Sequence, residues 1–103
     1  MEKLMQLVKI GPLTEREFKR QDGSVKQIKS RMLTLTNGSD TIYGETSERL
    51  TGQIEATDEA LRLKLIEGHV YNVDFTIRVS EYEKDGKKSS FVNITINKLF
   101  NFL

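Results

Sequence analysis

Three turn signals divide this chain and set the order of everything between them. Gln21-Asp22-Gly23-Ser24, Asn37-Gly38 and Asp85-Gly86 each place residues that accept positive φ at low cost between stretches of strand character. Leu4 to Phe18 reads as a long first strand bent at Gly11-Pro12, because proline is tolerated in sheets only at edges and irregularities. Val25 to Thr36 returns as the second, with Leu33 and Leu35 alternating against Met32, Thr34 and Thr36, and Thr41 to Glu45 makes a short third. Helical spacing of Ile54, Leu61 and Leu65 predicts one helix over Ile54 to Ile66, with Thr57 or Asp58 as cap, Gly68 as stop and a loop over Ser47 to Gly52. Val70 to Tyr82 alternates with Tyr71, Val73, Phe75, Ile77 and Val79 on one face, and Ser90 to Leu99 pairs back on it. A meander, a helix and a closing hairpin predict one all-β domain over residues 1–103: a five-stranded barrel with the helix between strands 3 and 4.

Chemistry is scarce along this framework. Acid–base catalysis normally uses histidine or paired carboxylates, and His69, at the junction into the fourth strand, is the only histidine and reads as structural or solvated. No serine lies in a nucleophile elbow and no glycines form a phosphate loop, so no enzyme is expected. With no cysteine, disulfides and thiolate zinc sites are excluded. Glu55, Asp58 and Glu59 read as acids complementing a helix dipole rather than as metal ligands, and neither metal nor cofactor is expected. The absence of a signal-like or membrane-length apolar run makes a soluble, cytoplasmic protein the expectation.

Binding has more material. Net charge is +1, yet residues 1–31 hold eight Lys/Arg against four Asp/Glu and residues 32–67 hold three against seven. The sequence therefore predicts a basic first hairpin, through Lys9, Arg16, Lys19, Arg20, Lys26, Lys29 and Arg31, and an acidic region near the helix. With Ile42 turned inward, Tyr43 points outward, placed to stack a base. Tyr82 and Phe91 alternate away from the apolar face of the last hairpin, near Lys84, Lys87 and Lys88, while Lys29, Arg31 and Arg78 offer cations to a phosphate backbone. The apolar end, Leu99-Phe100-Asn101-Phe102-Leu103, either seals the barrel or meets a second subunit.

Across Lys29-Ser30-Arg31-Met32-Leu33-Thr34-Leu35, Asp40-Thr41-Ile42-Tyr43-Gly44-Glu45, Glu67 to Val73, and Arg78 to Tyr82 leading into Phe91 to Ile94, the chain resembles the OB-fold single-stranded DNA-binding proteins, in particular small phage-like or mobile-element versions. The resemblance rests on the whole-chain pattern and not on a diagnostic motif. It implies a groove across strands two and three, lined by Lys29, Arg31 and Tyr43, with Arg20, Lys26, Tyr82, Lys87 and Phe91 at its edges. It also implies a role in DNA replication or recombination and single-stranded DNA as partner, with RNA and a homo-oligomer kept open. The chain departs from the bacterial members in lacking a Gly/Pro-rich linker and acidic tip, so tail-mediated recruitment of repair enzymes is not expected. The alternative is a barrel whose exposed rings and apolar end contact another protein.

Overall fold

Alternating apolar residues can close a barrel only if the long strands bend, and the first strand bends twice. The structure, a computed structural model that describes residues 1–101, contains β1 (Glu2–Lys19), β2 (Val25–Thr36), β3 (Thr41–Thr46), α1 (Glu48–Glu55), β4 (Val70–Lys84) and β5 (Lys87–Asn101). Register shifts in the β1–β2 pairing fall between Leu7 and Lys9 and between Ile10 and Leu13, the second at the expected Gly11-Pro12 bend. These shifts let the N-terminal half of β1 pair with β4 while its C-terminal half pairs with β2 alone. The strands close in the order β1-β2-β3-β5-β4, with a short parallel contact of Glu45 and Thr46 against Thr95 and Ile96. The fold is therefore the expected all-β, five-stranded OB-like barrel with its helix between strands 3 and 4.

The core is built where the strands overlap. Met5, Leu7, Leu33, Leu35, Leu50, Tyr71, Val73, Phe75, Ile96 and Leu99 are buried together. The Tyr71 hydroxyl accepts a hydrogen bond from Ile66 N at 3.0 Å and donates to Lys64 O at 3.4 Å, so its polar end is satisfied inside the core. Asp85 and Gly86 both have positive φ, 53° and 76°, as a two-residue hairpin turn between β4 and β5 requires.

Two expectations are corrected. The helix occupies Glu48–Glu55, not Ile54 to Ile66, because Ser47 caps it by accepting from Leu50 N, and Leu50 and Thr51 are the residues it buries. Glu48, and not Glu55, Asp58 and Glu59, is the acid in its first turn. The stretch after Ala56 is an irregular connection that makes one turn at Asp58 and then sets Leu63 and Leu65 against the core. Second, the apolar face of β4 does not stay buried: a register shift lies between Asp74 and Phe75, and Ile77 and Val79 lie beyond the barrel. Val79 and its cross-strand partner Val92 are 63% and 60% exposed.

The outer halves of the β1–β2 and β4–β5 pairs are thus two hairpin arms, and the molecule measures 49 × 37 × 21 Å. At the C-terminal end Leu99 belongs to the core and Phe100 is exposed, while Phe102 and Leu103 lie outside the described residues. Among the described residues no helix is long and apolar enough to cross a membrane.

Candidate nucleic-acid interface

Period two decides which side chains reach the outer face of the barrel. On β3, Gly44 and Thr46 are buried and Ile42 packs against the core, so Tyr43 and Glu45 face out. Their partners across β2 are Thr34 and Met32, and Glu45 also lies beside Thr95 of β5. Asn93 opposes Arg78 on the β4–β5 arm and shares the face of Thr95, while Arg16 comes from the β1–β2 arm opposite Ile28. Together Arg16, Met32, Tyr43, Glu45, Arg78, Asn93 and Thr95, with Val92 and Ile94, line a cleft of about 450 Å3 between the two arms. Tyr43 stands 66% exposed in it.

The electrostatics of this cleft are mixed. Arg16 Nη2 donates to Glu45 Oε1 at 2.6 Å, and the buried Ser30 donates its hydroxyl to the same oxygen at 2.7 Å. Arg78 is exposed and has no ion-pair partner among the described residues. Further out on the same face of the arm, the Tyr82 and Phe91 rings lie with centroids 5.9 Å apart and planes tilted by 55°. Tilted contact at that separation is a favourable aromatic arrangement, and both rings stay substantially exposed.

Tyr43 and Arg78 are brought together in the cleft, and Tyr82 and Phe91 flank it, but the expected lysine and arginine of β2 are elsewhere. Arg31 and Lys29 share the parity of Leu33 and Leu35, which turns them away from Tyr43 and toward α1. Arg31 donates from Nε and Nη2 to Glu55 Oε1 at 3.0 and 2.7 Å, and from Nη1 to Gly11 O at 3.1 Å. Lys29 lies beside Glu15 at 3.7 Å and lines a shallow hollow with Glu48, Thr51 and Glu55. Lys26 pairs with Glu48 at 3.0 Å. Arg20 and Lys87 sit beside the turns at the two arm tips and do not line the cleft.

The basic hairpin and the acidic helix region are therefore not opposed surfaces: Arg16–Glu45, Lys26–Glu48 and Arg31–Glu55 join one to the other. Sequence reasoning missed Glu45 and Arg16 as cleft residues. Glu45 is two positions from Tyr43 and so had to share its face, whereas the facing of Arg16 depended on the unknown size of the Gly11-Pro12 bulge.

His69 is exposed, and its backbone oxygen accepts from Leu7 N at 2.8 Å. No three histidine or carboxylate side chains converge as a metal site among the described residues. Fold and cleft together define a small closed β-barrel with an open groove of mixed charge between two arms, bearing the exposed Tyr43 ring. The chain matches no protein-family model, no curated protein and no solved structure.

Proposed function

We propose that this chain is a non-catalytic module that binds single-stranded DNA, stacking bases on Tyr43 and meeting phosphates with Arg78 and Arg16. The observation that carries the reading is the exposed Tyr43 ring in a cleft beside an arginine without an acidic partner, between two arms that can flank an extended strand. Stacking accepts any base, so binding is broadly sequence-tolerant. Tyr82 and Phe91 extend the stacking surface along the β4–β5 arm, with Lys84, Lys87 and Lys88 near its tip.

The test is fluorescence anisotropy of a labelled single-stranded oligonucleotide, with duplex DNA and single-stranded RNA as competitors. Tyr43→Ala is expected to weaken binding by about 1 to 3 kcal/mol, the usual worth of one base–aromatic stack. Lys29→Ala, on the face turned toward α1, is expected to leave affinity unchanged. Effective competition by RNA would move the ligand to RNA with the same groove. No binding in low salt would overturn the reading in favour of a protein-interaction barrel, for which Ile77 and Val79, exposed on the β4–β5 arm outside the cleft, are the favouring observation.

A further inference from the structure

A groove that meets phosphates gains nothing from a bare carboxylate in it, yet Glu45 lies in the cleft on the same face of β3 as Tyr43. Its two oxygens are in different situations. Oε1 accepts from both Arg16 Nη2 and Ser30 Oγ, at 2.6 and 2.7 Å, whereas Oε2 has no hydrogen-bond partner among the described residues. Ser30 is buried and its own hydroxyl is 3.2 Å from that of Thr14, while Thr14 Oγ1 donates to Ser30 O at 3.1 Å. The carboxylate is thus fixed in orientation at one oxygen and open at the other. Arg16 balances its charge, which removes most of the repulsion a passing phosphate would meet.

We propose that Glu45 reads the base stacked on Tyr43, its Oε2 accepting a hydrogen bond from an exocyclic amine. This rests on the single-strand reading given above. Two positions along a strand span about 6.6 Å, so a base lying on the Tyr43 ring brings its edge to the carboxylate. Cytosine presents an N4 amine there, and carboxylates accept from that group. Uracil presents a carbonyl oxygen at the same position, which cannot donate and faces a negative oxygen instead. The groove is therefore sequence-tolerant through stacking but biased toward bases that carry an amine.

Oligonucleotides of deoxycytidine and deoxyuridine of equal length test this cleanly, because the two bases have similar rings and differ at the edge Glu45 would meet. The protein is expected to bind the deoxycytidine strand roughly three- to tenfold more tightly, the net worth of an ordinary hydrogen bond, because the site is part-exposed and Arg16 shares the charge of the carboxylate. Glu45→Gln, whose amide donates as well as accepts, is expected to abolish or reverse that preference. Equal affinity of the unmodified protein for both strands, with Tyr43→Ala still weakening binding, overturns base reading and leaves the binding module standing. Binding to neither strand overturns both. The comparison on the unmodified protein holds whether or not the variant folds.

Discussion

Gly44 is the point at which barrel closure depends on a missing side chain. A Cβ there would fall within 2.6 Å of Ile96 Cγ1 and 3.3 Å of Ile94 Cγ2, on the strand that β3 must approach to close the sheet. Gly44→Ala is accordingly expected to lower stability by about 1 to 3 kcal/mol through overpacking, read as a lower urea midpoint with an unchanged slope. Single residues also show what the sequence held and what was read over it. Leu33 and Leu35 were legible as core by alternation, and the same alternation places Arg31 and Lys29 on their face. That period turns both cations away from Tyr43, so the strand that carries them cannot place them in its groove. Tyr43 itself was legible because Ile42 and the turn at Asn37-Gly38 fix its register.

At the scale of elements, turns were readable and the helix was misplaced. Each turn is written in a few adjacent residues, whereas the apolar spacing of Ile54, Leu61 and Leu65 imitates a helix whose expected cap, Thr57 or Asp58, starts only a single turn at Asp58 and leaves Ile54 without one. Ser47 supplies that cap seven residues earlier, and Leu50 drops into the core one turn later. The β4–β5 arm was legible as a hairpin but not as an arm, since alternation reports which face is apolar and not what lies beneath it.

The β1–β2 turn carries its own pH dependence. Asp22 Oδ1 accepts from Ser24 Oγ at 2.6 Å and from Ser24 N at 2.9 Å, and these bonds, the hydroxyl first, hold its carboxyl below the ordinary value of 3.8. A depressed folded-state pKa means that the stabilisation is present above the ordinary value and disappears as pH falls through the lower one. Protection of the Ser24 amide, its exchange rate taken against the intrinsic rate at each pH, is therefore expected to hold from neutral to mildly acidic pH and to fall only in stronger acid. In Asp22→Ala that transition should vanish; an unchanged profile would assign it to another group.

The whole molecule is nearly neutral, and its charges are arranged to cancel locally. Arg16, Lys26 and Arg31 of the first hairpin are joined to Glu45, Glu48 and Glu55, so three of its cations are spent holding β1 against β3 and β2 against α1. Exposed pairs of this kind contribute little stability each, about 0 to 1 kcal/mol, but they decide how much charge is left for a polyanion. A protein with its hairpin cations free would neutralise many phosphates. Here the groove offers Arg78 outright, Arg16 in part and the lysines near the β4–β5 tip. For single strands the logarithm of affinity falls with that of salt by about 0.7 per phosphate neutralised, so a shallow slope of roughly −1 to −3 is expected. Arg78→Ala should bring the slope closer to zero by about 0.7, the share of one phosphate. Arg31→Ala should leave the slope where it was and instead lower thermal stability, because its guanidinium bridges Glu55 and the carbonyl of Gly11. If Arg31→Ala flattened the salt dependence as much as Arg78→Ala, the face turned toward α1 would have to be the one that meets the strand, and the groove would be on the wrong side of the barrel.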